Sequence, residues 1–441
     1  MNVLQIAYHY PPMGGAGVQR ALKFSKYLGQ FGVHPVVLAA HDPGYVSDAS
    51  LATEIPAGVT VHRIEHRPVL QRVMAWRANA GPAATAHSPS QASAGRAWLR
   101  DTALSTYAAL RFPDDKSGWA RNALQQARQL VRDQRIDLIF STAPPMSTHW
   151  LAARLARETG LPWVADYRDL WTDNPAYAAP GWRRAFDQRC ESAWLKRAAG
   201  VVTVTPSWQQ RFAQRLGAAC PVAFIPNGYD EADFAALPAL NHDDGAFRLV
   251  HTGSFYGPRD PATLLDAIER YLGAPAPAAK PLRLRLIGNM GHRFDARLAR
   301  FDAAYPGVIE RVAYLPHRDA LAEMVAADAL LLVVGAGPIG QHTAVVAGTL
   351  PGKIFEYLRA GRPILLLGDE AGDAARLVRD HAAGWVADET QPARIAEALR
   401  TMLSAPARAP LDGGDVRRYE RRELSRQLAG FLHECQERAR G

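Results

Sequence analysis

Two stretches of this sequence combine residue types that can hold a phosphorylated ligand. The first is Tyr10-Pro11-Pro12-Met13-Gly14-Gly15-Ala16-Gly17. Glycines at that density let a backbone approach a ligand closely, and a helix starting there would aim unpaired N–H groups at an anion. The spacing is not G-x-G-x-x-G, and no acidic residue about 20 positions on ends a second strand, so a dinucleotide fingerprint is not met. A plain tight turn is the other reading of the same residues. The second stretch is Pro351-Gly352-Lys353-Ile354-Phe355-Glu356-Tyr357-Leu358-Arg359-Ala360-Gly361-Arg362-Pro363. It predicts a helix capped by Thr349 and stopped by Gly361, with a strand after Pro363. Lys353 falls in the first turn, where a cation opposes the helix dipole unless an anion is bound. The chain has six lysines beside 45 arginines, so a lysine at that place stands out. Glu356 lies one turn on along the same face. A cation and a helix N-terminus for phosphate, with a carboxylate accepting from sugar hydroxyls, would make a nucleotide-sugar site. A solvent-exposed ion pair is the plainer alternative.

Two further stretches complete a rim. Asp166-Tyr167-Arg168-Asp169-Leu170-Trp171 ends one strand, and His251-Thr252-Gly253-Ser254-Phe255-Tyr256-Gly257-Pro258-Arg259-Asp260 ends another. Ligands of open α/β sheets bind beyond the carboxyl ends of the strands, and Arg259 can reach a phosphate there.

These residues need strands and helices to position them, and the chain supplies both in alternation. Apolar runs at 3–8, 33–39, 136–141, 162–167 and 200–205 predict strands, with helices between them over 18–28 and 148–158. The alternation restarts with strands at 247–252, 282–287, 312–315, 329–334, 363–367 and 384–386. Helices at 262–272, 318–326, 351–360, 371–380 and 392–403 fill the gaps, and a long charged helix over 416–438 ends the chain. Buried strands alternating with helices predict two doubly wound parallel sheets, an α/β fold. The break between them falls in the Asn-, Gly-, Asp- and Pro-rich stretch 226–244, giving domains at 1–226 and 227–415 with a terminal helix at 416–441.

Length and composition bound the rest. At roughly 100–200 residues per domain, 441 residues make two or three domains. The chain is 48% hydrophobic and 21% charged, which excludes a mostly disordered protein. No apolar run approaches the roughly 20 residues of a membrane helix, and the first residues lack a signal-peptide pattern. Three widely spaced cysteines, Cys190, Cys220 and Cys435, suit neither a disulfide framework nor a zinc site and fit a reducing cytosol. The net charge is +8, and all of that excess lies within residues 1–200. A basic half suits nucleic acid, an anionic membrane surface or phosphorylated small molecules. Between residues 67 and 115 the alternation lapses. A flexible small-residue loop over 78–95 is flanked by the basic amphipathic stretches 67–77 and 96–111, a pattern that also suits an anionic membrane.

Tyr10–Gly17, Asp166–Trp171, Pro226-Asn227-Gly228-Tyr229-Asp230, His251–Asp260 and Pro351–Pro363, in that order and spacing, resemble the family 4 glycosyltransferases. The resemblance spans nearly the whole chain. It implies the GT-B architecture, two facing Rossmann-like domains with a cleft between them. Acceptor would bind mainly to the first domain and a UDP- or GDP-linked sugar to the second. The terminal helix would return to the first domain. It further implies retention of anomeric configuration, no metal, and no cofactor beyond the nucleotide-sugar co-substrate. Carried over by position, Arg168, Asp169, Arg259 and Lys353 would act in catalysis. Gly14, Gly15, Gly17, Gly253, Ser254, Asn289, Leu315, Gly352 and Glu356 would bind the nucleotide-sugar. Glu356 matches the second of the family's two glutamates. Gly348 stands where the first, which touches the donor sugar, would be, and Arg168 replaces a histidine of the family's cleft. Arg259 and Lys353 must then carry the diphosphate charge.

The function expected is transfer of a sugar to a hydroxyl acceptor, such as a lipid-linked glycan intermediate of cell-surface polysaccharide synthesis. The enzyme would be cytoplasmic and peripheral on the inner membrane face. The rival within the fold is a sugar-nucleotide epimerase or a phosphorylase. A nucleic-acid binder fits less well, because no basic run is interleaved with aromatics and no known module is present.

Overall fold

The structure is a computed structural model. It describes residues 1–66, 111–174, 177, 179–240, 244–253, 255, 261–274, 280–288, 294–334, 347–405 and 416–441. The basic stretch 67–77, the small-residue loop 78–95 and nearly all of 96–111 lie outside the described residues, as do Ser254, Arg259 and Asn289.

The chain divides into two compact units. One comprises Met1–Val204, Gln209–Ile225 and Ser425–Gly441, and the other Thr205–Trp208 and Pro226–Leu424.

The first unit is built on seven parallel strands in the order β3-β2-β1-β4-β5-β6-β7. They are β1 Asn2–Ala7, β2 His34–His41, β3 Thr60–Glu65, β4 Leu138–Ala143, β5 Trp163–Tyr167, β6 Gly200–Thr203 and β7 Val222–Phe224. The order reverses at β1, whose neighbours are β2 and β4. Such a switch point leaves a crevice at the strands' carboxyl ends. The central strands β1, β4 and β5 are buried on both faces, which is why they read as continuous apolar runs. The helices are α1 Ala16–Tyr27, α2 Ser117–Asp133, α3 Ser147–Thr159, α4 Gly181–Leu195 and α5 Pro206–Leu216.

One buried ion pair ties α1 to the centre of this sheet. Arg20 is 1% exposed and Asp166 is 0% exposed. Arg20 donates from Nε and Nη2 to the two Asp166 oxygens at 2.9 and 2.8 Å, and from Nη2 to the Ile225 carbonyl at 2.9 Å. Thr142 donates to the same carboxylate at 2.7 Å. Both oxygens of the buried carboxylate thereby accept hydrogen bonds.

The second unit has six parallel strands in the order β10-β9-β8-β11-β12-β13. They are β8 Phe247–Thr252, β9 Leu282–Ile287, β10 Ile309–Val312, β11 Ala329–Val333, β12 Ile364–Leu367 and β13 Gly384–Ala387. The helices are α6 Glu231–Phe234, α7 Ala262–Leu272, α8 Asp295–Ala304, α9 His317–Ala326, α10 Lys353–Ala360, α11 Asp373–Asp380 and α12 Pro392–Ser404. Side chains alternate across the sheet. Ala329, Leu331 and Val333 pack with α7, α8 and α12, whereas Leu330 and Leu332 pack with α9, α10 and α11. Ile354, Phe355 and Leu358 anchor α10 in that second core, each at about 1.5–3 kcal/mol for full burial.

Several sequence expectations shift. The strand expected at 312–315 runs over Ile309–Val312, because its partners in β9 are Leu284 to Ile287. Leu315 therefore lies beyond the strand. The edge strands β3, partly exposed along its length, and β7, only three residues long, are new. The helix expected over 416–438 is interrupted at Glu420, which is extended. There the Arg421 N–H donates to the Tyr229 carbonyl at 2.8 Å, and Tyr229 N–H to the Tyr419 carbonyl at 3.2 Å. The helix proper is α13, Arg421–Arg440. From Ser425 onward it belongs to the first unit, where Phe431 and Cys435 press so closely on Gly200 that a Cβ there would sit 2.5 Å from the Cys435 sulfur.

Asp166→Ala strands the buried Arg20 guanidinium. It is expected to lower the unfolding free energy by about 3–5 kcal/mol, read as a lowered urea midpoint. An unchanged midpoint contradicts the anchoring role of this pair.

Candidate functional site

In the second unit the candidate residues gather at the carboxyl ends of β8 and β9 and at the start of α10. Burial of Ile354, Phe355, Tyr357 and Leu358 on one side of α10 turns Lys353 and Glu356 to the other, where both are half-exposed. The Lys353 ammonium donates to the Thr252 carbonyl at the end of β8. Gly253 follows with φ +116°, and a Cβ there would lie 2.8 Å from Lys353 Nζ. Gly288, at the end of β9, has φ +125° and packs on the Gly253 carbonyl, which a Cβ would approach to 2.7 Å. Gly253 thus makes room for the ammonium, and Gly288 makes room for Gly253. Below it, the buried Tyr357 hydroxyl accepts from the Thr252 N–H at 3.2 Å, and burial pushes that phenol up to about 12. This network fixes the β8 end.

Thr349 does not cap α10. Gly352 occupies the N-cap position without a side-chain cap, so the first-turn N–H groups carry no protein side-chain acceptor from that residue. Gly352 packs on Asn227. Glu356 is not paired with Lys353 but with His317, whose Nε2 lies 2.9 Å from its Oε1. His317 opens α9 and gave no sequence signal, since it lies 39 residues from Glu356. Leu315 is half-buried against the same core.

Gly348 has a steric cause. A Cβ there would sit 2.4 Å from the indole Nε1 of Trp208 and 3.3 Å from the Ser207 Cβ. Ser207 is held by two hydrogen bonds to Asp373, at 2.8 and 3.1 Å. The indole therefore fills the space that a glutamate side chain would need to leave the backbone.

In the first unit, Gly15 takes φ +87° at the N-cap of α1, a conformation that favours glycine. Gly14 is pinned by its N–H to the Val46 carbonyl at 2.8 Å. Gly17 lies under Arg168 and His9, which an added Cβ would approach to 3.5 and 3.6 Å. Arg168 donates to the carbonyls of Gly17, Ala143 and Pro144. From its place just past β5 it therefore joins the first turn of α1 to the end of β4 and acts as a positioning residue for the loop. Burial lowers its pKa from the ordinary arginine value, with Asp166 and Asp169 opposing. Asp169 keeps solvent contact, and its carboxyl is pushed up by desolvation with Arg168 pulling the other way.

Two residues here escaped the sequence reading. His9, just past β1, has a buried Nδ1 without a hydrogen-bond partner, and its ring meets that of Tyr45 at 4.8 Å, tilted by 42°. Desolvation, then the Arg168 charge, lowers it to about 4, so it is a neutral imidazole at the mouth of the glycine loop. Asp42 follows β2 directly, so an acidic residue does end the second strand. Its carboxylate accepts from Tyr8 at 2.7 Å and from the Gly44 N–H at 3.1 Å, which commits it to the fold rather than to a ribose.

Residues 14–228 match the family profile described as the glycosyl transferase 4-like domain. Solved structures agree over the whole chain. The Anabaena protein HepE in complex with UDP is 15% identical, with 99% of this chain and 98% of that one covered and a TM-score of 0.55. Sucrose-phosphate synthase from Thermosynechococcus elongatus is 13% identical, covering 99% and 96%, with a TM-score of 0.59. UDP-GlcNAc 2-epimerase from Methanocaldococcus jannaschii is 9% identical, covering 98% and 100%, with a TM-score of 0.53. At such identities the likeness establishes the fold, which is GT-B. No curated protein matches the chain by sequence.

Gly348→Val should cost about 1–3 kcal/mol of stability by overpacking. In the Gly348→Val/Trp208→Ala pair the cost should fall below the sum of the singles. Additive costs in chemical denaturation contradict the steric explanation.

His9 ordinarily titrates near 6.5 and does so near 4 when folded, so its neutral form stabilises the fold. That contribution is fully present above pH 6.5 and is lost as pH falls through the window down to about 4. His9→Gln should flatten the stability profile in that window, and identical profiles for variant and parent contradict it.

Proposed function

We propose that the protein is a retaining glycosyltransferase that moves a sugar from a UDP- or GDP-linked donor to a hydroxyl acceptor, a lipid-linked glycan intermediate of cell-surface polysaccharide synthesis. The observation that carries the reading is the Lys353 ammonium at the uncapped start of α10, seated among Gly253, Gly288 and the end of β8. An ammonium and first-turn N–H groups together recognise a diphosphate. Glu356, three residues on, accepts from ribose hydroxyls, and His317 orients it. The glycosyl transferase 4-like domain and the fold shared with HepE, which was solved with UDP, support a nucleotide-sugar donor.

The transfer then follows from charge. The bond between the anomeric carbon and the β-phosphate oxygen breaks, and negative charge grows on that phosphate. Lys353 and the α10 N–H groups stabilise it as pre-set dipoles and charge, with Arg259 as a further cation. The acceptor oxygen bonds to the anomeric carbon from the same face, and its proton passes to the departing phosphate. In the first unit, the glycine loop that Arg168 holds, with neutral His9 beside it, serves the acceptor. Gly14, Gly15 and Gly17 shape that loop, and Asp169 is the exposed carboxylate near it.

Glu356→Ala should weaken binding of the donor by about 1.5–3 kcal/mol, the worth of a hydrogen bond to a charged group. His317→Ala should cost less, because Glu356 keeps its contact but loses its orientation. Calorimetric titration with UDP- and GDP-sugars checks both, and equal donor affinity in the Glu356 variant and the parent contradicts the assignment.

Turnover should survive chelation with EDTA. The Asp114-Asp115 pair is committed elsewhere, since Asp114 accepts from the Ser147 N–H at 2.9 Å and from its hydroxyl, at the start of α3. Activity lost in EDTA and restored by magnesium or manganese contradicts a metal-independent transfer.

A further inference from the structure

The helix α4 sorts its charges in an unusual way. Its acids are all buried and paired: Asp187 receives Arg183 at 2.7 Å, and Glu191 receives Arg215 at 2.8 Å and Thr172 at 2.6 Å. Its outer face is formed by Trp182, Ala185, Phe186, Arg189 and Ala193, and Lys196 and Arg197 continue it just past the helix end. These positions recur at the spacing of three and four that puts residues on one side of a helix. Trp182 is 64% exposed and Phe186 48% exposed, two of the largest apolar exposures among the described residues. Phe186 also meets Phe112, with ring centroids 5.2 Å apart, and behind them Trp171 stacks on Trp194 at 5.4 Å. The two outward aromatics therefore stand on a firm aromatic base.

We propose that this face of α4 is the protein's contact with an anionic phospholipid bilayer. Every ionisable group that the helix and its end expose is basic, so the face matches a negatively charged surface, and none of its own acids screens it. Trp and Phe at one end supply the interfacial insertion that charge alone lacks. The geometry differs from a protein-docking patch in having no exposed acid or amide pattern opposite the aromatics beyond Gln188. The helix lies within residues 1–200, which carry the whole +8 excess of the chain. The inference deepens the reading of a lipid-linked acceptor, because it brings the unit that holds the glycine loop to the membrane surface.

The test is co-sedimentation of the full chain at low salt. The vesicles are pure phosphatidylcholine, or equimolar phosphatidylcholine and phosphatidylglycerol. The parent should bind the anionic vesicles and leave the neutral ones. Charge reversal at Arg189, Lys196 and Arg197 to Glu should weaken partitioning by at least about a hundredfold, at roughly fivefold for each basic residue removed. Trp182→Ala with Phe186→Ala should lose about tenfold or more. Trp182, Arg189, Lys196 and Arg197 are exposed and Phe186 is half-exposed, so melts are run to confirm that each variant is folded, and the folded variants should hydrolyse a sugar nucleotide in solution at the parent's rate. That second readout separates the two claims: a failed membrane contact leaves donor hydrolysis intact, and a failed donor assignment leaves the vesicle result intact. A parent that stays in the supernatant, that binds neutral vesicles equally, or whose variants bind as it does, overturns the proposal.

Discussion

The donor side rests on a cation held where the peptide dipoles disfavour it. Lys353 stands in the first turn of α10, and its ammonium is aimed at the Thr252 carbonyl on the end of β8. The structure around it is arranged to allow this. Gly253 and Gly288 both have positive φ; the first leaves the ammonium its room and the second lets the Gly253 backbone pass. Tyr357 locks the β8 end from below, and Ile354, Phe355 and Leu358 hold α10 against the sheet. A repulsion built into the resting protein becomes favourable once an anion arrives, because the dipole and the ammonium then attract the same charge.

The first unit solves a different problem with arginine. Arg20 crosses from α1 to Asp166 on β5, and Arg168, just past β5, gathers three carbonyls, one in the first turn of α1 and two at the end of β4. Both use the planar fork of the guanidinium, which a lysine could not reproduce. The glycine loop is held between them, so its shape is set by groups more than a hundred residues away in sequence. Neutral His9 completes this corner. Its protonation is opposed by burial and by Arg168, so the corner keeps one positive charge rather than two across ordinary pH.

Much of this was legible in the residues. The apolar runs of β1, β4, β5, β11 and β12 report strands buried on both faces, and the glycine stops and prolines marked most helix ends. The edge strands β3 and β7 were silent, since one is half-exposed throughout and the other has three residues. Lys353 and Glu356 could be singled out from local chemistry alone. Their partners could not. His317, Trp208 and the carbonyls around Arg168 are brought in by tertiary packing, and nothing in their local sequence marks them. The same holds for Gly348, which in sequence stands where the family's first glutamate would be and in the structure fits against an indole. Asp42 was missed because the second strand runs two residues further than its apolar stretch.

The central claim is that Lys353 and the start of α10 bind a diphosphate. Isothermal titration of UDP and GDP into the parent and into Lys353→Met tests it most directly, with thermal melts to confirm that both are folded. The account predicts that the parent binds at least one of the two nucleotides, that the variant loses about 1.5–3 kcal/mol of that binding free energy, and that the parent's affinity falls with added salt while the variant's falls less. Equal affinity and equal salt dependence in the two proteins would contradict it.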